Sequence, residues 1–197
     1  MLMYFKMAEE KQKKQKRKDV LVEILIPEGI EINLTRDEII VKKGEKELRR
    51  KLSPLVKTSS SENKILLEAK KATKMQKKNL GTLEGHIKNM IKGLGEKFVY
   101  KLQICFVHFP VSVSIDKATN EIIIKNFLGE RKDRRVKIIE GIDIKIEKEI
   151  ITIESEDKKR AGQMAANVEK MAKVTEKDRR IFQDGIFIIE KAGRQFL

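Results

Sequence analysis

The residues best suited to chemistry in this chain are cations, and they come in groups. Lys158, Lys159 and Arg160 are consecutive, and Lys170, Lys173, Lys177, Arg179 and Arg180 follow them. Arg131, Lys132, Arg134, Arg135 and Lys137 surround the lone acid Asp133, just after Gly129. Lys70, Lys71, Lys74, Lys77 and Lys78 lie in a stretch with no acid between Ala69 and Leu83. Such groups neutralise phosphates and release the counterions that phosphates hold. Any one of them alone fits a solvated face equally well. Four together, in a chain with a large positive excess, point to a polyanion.

The residue sets needed for catalysis are missing. The glycines of Gly93-Leu94-Gly95 follow an expected helix instead of opening one, so they do not form a phosphate loop. No G-x-S-x-G run occurs, and no base is assignable near Ser112 and Ser114, which share a strand face. Cys105 and His108 are three apart on extended chain, so they face opposite sides and do not form a thiolate–imidazole pair. His86 falls among apolar helix positions, which suits a structural histidine. Gly81 and Gly85 form a G-x-x-x-G, but Glu84 and the surrounding lysines exclude a membrane dimer face. One cysteine excludes a multi-thiolate metal site, and two histidines leave little for a His-based one. The expectation is no enzyme, no metal and no cofactor.

Composition narrows the partner. The 197 residues include 44 Lys and Arg against 30 Asp and Glu, a net charge of +14. No apolar run approaches the roughly 20 residues of a membrane span. Aromatics are 5% with no Trp, which gives little for stacking on single strands. No RNP-like run, G-x-x-G loop, recognition helix or zinc-finger spacing is present. Shape and backbone recognition of a folded RNA remains. The alternatives are an RNA-processing or RNA-modifying enzyme, and a binder of acidic membrane surfaces through the first 18 residues. That stretch carries 7 basic and 2 acidic residues and reads as a disordered or arm-like tail.

The elements that must position these cations read mostly as strands. Extended segments are expected at 20–26, 29–34, 38–42, 64–69, 97–106, 111–115, 120–125, 136–140, 143–147, 150–154 and 186–189. Helical spacing of Leu80, Leu83, Ile87, Met90, Ile91 and Leu94 predicts a helix within 72–94. Ala161, Met164, Ala165, Val168, Met171 and Ala172 predict a second, over 161–174.

The chain also resembles itself. Pro27 and Pro110 are 83 apart, as are Glu38-Ile39-Ile40-Val41-Lys42 and Glu121-Ile122-Ile123-Ile124-Lys125. Arg49-Arg50 matches Arg134-Arg135, and Ile65 matches Ile150, at 85. Gly81 and Met90 match Gly162 and Met171 at 81. The fold class is therefore α+β: two tandem copies of a module of antiparallel strands packed on one helix. The expected divisions are 1–18, 19–104, 105–191 and a short tail 192–197.

Residues 174–191, with Val174, Lys177, Arg180, Phe182, Asp184, Gly185, Ile186, Phe187, Ile188 and Lys191, resemble the C-terminal signature of the large-subunit ribosomal protein six family. His86 to Gly93 and Phe98-Val99-Tyr100-Lys101 resemble its first-domain helix and next strand. His108-Phe109-Pro110 and Asn126 to Glu130 are similar to its archaeal and eukaryotic branch, whose eukaryotic member is called ribosomal protein nine. The chain departs at Val41-Lys42-Lys43-Gly44-Glu45-Lys46, where the family usually has Val-Lys-Gly-Pro, and at Lys170, where it often has glutamine. The resemblance implies a duplicated α+β protein of the large ribosomal subunit, without catalysis or stable homo-oligomers, working in the cytoplasm. It implies binding to ribosomal RNA beside the sarcin–ricin loop and stalk base, near other ribosomal proteins and where translational GTPases dock. The implied contacts are mainly in the second copy: Lys158–Arg160, Gln163, Asn167, Lys173, Lys177, Arg179, Arg180 and Gln183. Lys170, Arg131, Lys132, Arg134, Arg135, Lys70, Lys74, Lys77 and Lys78 complete the candidate set as cations of this chain itself.

Overall fold

A computed structural model describes residues 19–61, 64–178 and 180–196. The basic tail expected at 1–18 and Arg179 lie outside the described residues. The chain divides into two compact units, 1–91 and 92–197. The division falls inside the first helix, and not after residue 104. The strand at Phe98–Cys105, expected to close the first module, is an inner strand of the second unit's sheet.

The first unit opens with β1 (Val20–Leu25), followed by a three-stranded antiparallel meander, β2 (Glu31–Leu34), β3 (Glu38–Lys43) and β4 (Lys46–Lys51). β5 (Lys57–Ser61) and β6 (Lys64–Ala69) then join β1 in a second sheet, order β1-β6-β5. α1 (Lys74–Gly95) follows. Its start carries a reciprocal cap: the Gln76 amide donates to Thr73 Oγ1 at 3.3 Å, and the Thr73 amide donates to Gln76 Oε1 at 2.9 Å. Ile24, Ile39, Val41, Ile65 and Leu67 are buried on the strands, and Leu80, Leu83, Ile87 and Met90 on the helix. Burying each such side chain is worth about 1.5–3 kcal/mol. The departure at Val41–Lys46 makes an ordinary two-residue hairpin, with Lys43 opposite Lys46 and Gly44 at φ +60°.

The second unit repeats the plan. β7 (Phe98–Cys105) comes first, then the meander β8 (Ser112–Asp116), β9 (Glu121–Lys125) and β10 (Arg134–Lys137). A short 3-10 turn, Phe127–Gly129, interrupts the β9–β10 connection. β11 (Asp143–Glu147), β12 (Ile150–Ser155), α2 (Lys158–Met171), β13 (Gly185–Lys191) and the two-residue β14 (Arg194–Gln195) complete it. The main sheet has the order β11-β12-β7-β13-β14. Leu102, Ile104, Ile151 and Ile153 from that sheet, Ile122 and Ile124 from the meander, Phe127, and Ala161, Met164, Ala165 and Val168 of α2 form one core.

The α+β class and the duplication stand, and strand pairing refines the equivalences. Ile39 and Val41 are fully buried on β3, as are Ile122 and Ile124 on β9, at the expected offset of 83. Val41 pairs with Leu48 and Ile124 with Arg134, so across the turn the offset becomes 86. Arg49-Arg50 and Arg134-Arg135 are therefore one position out of register. Ile65 likewise corresponds to the fully buried Ile151 at 86, and not to the exposed Ile150. On the helices, Leu80, Leu83 and Ile87 match Ala161, Met164 and Val168 at 81, all buried. The second copy thus has a longer β9–β10 loop, which carries Arg131 and Lys132. The first copy has extra chain before its helix stripe, which carries Lys74, Lys77 and Lys78.

Candidate nucleic-acid interface

α2 organises most of the candidate residues. The Asp157 side chain accepts from the Lys159 amide at 2.8 Å and caps the helix. Ser155 supports that cap: its hydroxyl donates to the Gly141 carbonyl at 2.8 Å and accepts from the Asp157 amide at 3.3 Å. Lys158, Lys159 and Arg160 are exposed in the first turn. There they face the positive end of the helix dipole, which is unfavourable for cations and favourable for an anion they would bind. Arg160 is tethered beside Gly141 by donating to the Glu140 carbonyl at 3.2 Å. On the exposed face Gln163 Nε2 donates to Asn167 Oδ1 at 2.9 Å, and the small Ala166 lies exposed in the same stretch. The backbone packs tightly behind it: a Cβ on Gly162 would meet the Tyr100 hydroxyl at 3.1 Å.

The C-terminal end of α2 gathers a second group. Lys170, Lys173 and Gln183 line one groove of about 780 Å³, with Ile104, Ala172, Val174 and Phe187 among its apolar walls. Lys177 and Arg180 are exposed on the segment that follows. Lys177 Nζ sits 4.6 Å from the centre of the Phe182 ring, and His108 stacks on the same ring at 4.8 Å. Asp184, almost fully buried, holds this segment against residues 107–108. Its Oδ1 accepts from the Val107 and His108 amides at 2.8 and 3.2 Å, and Oδ2 lies 2.7 Å from His108 Nδ1. Burial pushes the Asp184 carboxyl up, but the Val107 amide, the His108 ring and the His108 amide outweigh it, leaving the group below the usual carboxylate range.

The four basic groups differ in how free they are. Arg134 is engaged internally: it forks onto Glu130, donates to the Met171 carbonyl at 2.7 Å and the Lys173 carbonyl at 3.2 Å, and lies 4.2 Å from the centre of the Phe127 ring. It therefore ties the β9–β10 loop to the end of α2, while Arg131, Lys132 and Arg135 stay exposed. The Arg134 guanidinium, with Lys177 adding its field, keeps the Glu130 carboxyl low. In the first unit Lys74, Lys77 and Lys78 are exposed on the first turns of α1, and Lys70 lies 3.6 Å from Glu68. The Asp184–His108 contact and the bonds from Arg134 to the Met171 and Lys173 carbonyls had no signal in composition or spacing, since each joins residues far apart in the chain. Among the described residues, no group of His, Cys, Asp and Glu could hold a metal ion, and no helix is long and apolar enough to cross a membrane.

The second unit thus places cations at both ends of one helix and on a neighbouring loop of a duplicated α+β scaffold. The family model described as ribosomal protein L6 matches residues 109–185. The large ribosomal subunit protein uL6 of Methanococcus vannielii is 42% identical over 173 residues, covering 87% of this chain and 94% of that protein. Its namesake from Methanobrevibacter smithii is 38% identical over 170 residues, covering 86% and 94%. The chain belongs to the ribosomal protein L6 family, whose members are structural proteins and not enzymes.

Proposed function

We propose that this chain is a structural constituent of the large ribosomal subunit, working in the cytoplasm, and that it grips ribosomal RNA chiefly through its second unit. The relatives that match most of its length carry the large-subunit name. The observation that carries the RNA reading is the set at the C-terminal end of α2, with Lys170, Lys173 and Gln183 on one groove and Lys177 and Arg180 exposed beside it. Side chains exposed at element ends can reach phosphate oxygens, and two of the nearby carboxylates, Asp184 and Glu130, are occupied by partners within the fold, while Glu149 and Glu169 share the groove. Lys158–Arg160, Gln163 and Asn167 extend the surface along the helix. A 14-residue helix spans about 20 Å, so the two ends reach separate phosphates of one RNA helix or of two adjoining ones.

The finer reading follows the resemblance. The RNA would be the region beside the sarcin–ricin loop and stalk base, with other ribosomal proteins as neighbours and translational GTPases docking close by. The protein's work there is positional: it holds RNA in the shape those factors meet. The test is co-sedimentation with large subunits through a moderate salt wash. Wild type should remain bound, and a Lys170, Lys173, Lys177 and Arg180 to Gln variant should be lost. Equal retention of the two would refute the assignment of the site.

A further inference from the structure

The repeat leaves one edge of the first unit without its counterpart. In the second unit β7 is paired on both sides, by β12 and by β13. β1 takes the place of β7 in the first unit. Val20 pairs with Ala69 and Phe98 with Ser155, and those partners are themselves 86 apart, the offset between β6 and β12. On this equivalence Glu23 stands where the second unit has Lys101, and Leu21 where it has Val99. Among the described residues β1 has β6 on one side and no strand on the other. The strand that follows α1 is β7, whose two edges are both taken, so it cannot fill that place.

The side chains on β1 indicate what would. Leu21 and Leu25 are 56% and 70% exposed on one face of the strand, with Glu23 between them, its side chain half exposed despite a 3.4 Å contact to Lys64. In the second unit Lys101 is bridged at 2.9 Å by Glu190 of the strand that pairs beside it. The charge at the equivalent position is inverted in the first unit, so the complementary strand carries a cation. A second copy of this chain fits poorly. The antiparallel register that sets Leu21 against Leu25 also sets Glu23 against Glu23, and like charges directly opposite destabilise a pair.

We propose that the outer edge of β1 is a docking site for an extended segment of another protein, running antiparallel to it. That segment has Lys or Arg opposite Glu23 and apolar residues two positions to either side. Main-chain hydrogen bonds to the free edge would supply affinity, and the apolar–basic–apolar alternation would supply specificity. This proposal does not rest on the RNA-binding reading.

The test is NMR titration of the full chain with a capped Thr-Val-Thr-Lys-Thr-Val-Thr peptide and its Glu-centred counterpart. The lysine peptide should shift the amides of residues 20–25 and bind about fivefold more tightly than the glutamate one. Glu23→Lys, an exposed change that leaves the core intact, should reverse the order. N-methylation of alternate peptide amides should abolish binding. Equal affinities, shifts elsewhere than β1, or an unchanged order in Glu23→Lys would overturn the proposal. So would binding that appears only after residues 1–18 are removed, which would assign the edge to this chain's own segment.

Discussion

His108 and Asp184 are joined across 76 residues of chain by a 2.7 Å contact between Nδ1 and Oδ2, with Asp184 almost fully buried and His108 stacked on Phe182. The pair fixes the stretch that carries Lys177 and Arg180 against the strand end at 105–108. Asp184→Asn keeps the shape but removes the charge that accepts both amides. It should cost about 1–3 kcal/mol of stability near neutral pH, measured by denaturant unfolding.

The same residue sets a pH dependence. The folded Asp184 carboxyl lies below its ordinary value of 3.8, so its contribution is present above that value and is lost as pH falls through the lower folded value. The stability gap between wild type and Asp184→Asn should therefore be full at pH 6 and shrink below about pH 4. A gap that is constant down to pH 2 would remove the carboxylate from this role.

Arg134 and Lys177 should separate positioning from contact. Arg134 bonds Glu130 and two α2-end carbonyls, so Arg134→Lys should lower both thermal stability and RNA affinity while leaving the salt dependence of binding unchanged. Lys177→Gln should leave stability nearly unchanged and reduce the log–log salt slope by roughly 0.9, the value for one duplex phosphate. Binding isotherms at several salt concentrations distinguish the two.

Two helix glycines should respond with opposite signs. A Cβ at Gly93 would lie 2.0 Å from the Glu156 carbonyl oxygen and 3.0 Å from the Phe98 ring, so Gly93→Ala should destabilise by about 1–3 kcal/mol. Gly81 has no atom within 4 Å of that position, so Gly81→Ala should stabilise by about 0.5–1 kcal/mol. Denaturant midpoints measure both.

Much of the fold was legible because most strands alternate buried and exposed residues, as in Phe98–Cys105, and both helices carry a clear stripe. β4 and β5 were not legible because Lys46–Lys51 and Lys57–Ser61 are charged or polar apart from Leu48 and contain no fully buried residue. Such strands are specified by their neighbours and not by their own pattern. The register of the repeat slipped for a related reason. Arg49-Arg50 and Arg134-Arg135 match by residue type, but a longer loop in the second copy shifts which arginine faces the core side, and only pairing reveals it. The basic groups of the candidate site were visible as clusters. That Arg134 is held inside the fold while its neighbours are free was not, because its partners, Met171 and Lys173, are remote in sequence.

On the function proposed above, the second unit binds ribosomal RNA through phosphate contacts at the ends of α2. The most direct measurement is the salt dependence of binding between the full chain and an isolated large-subunit ribosomal RNA domain that contains the sarcin–ricin loop. A steep log–log slope is expected, falling by roughly 0.9 for each cation removed from the set Lys158, Lys159, Lys170, Lys173, Lys177 and Arg180. A slope near zero, or one untouched by those substitutions, would contradict it.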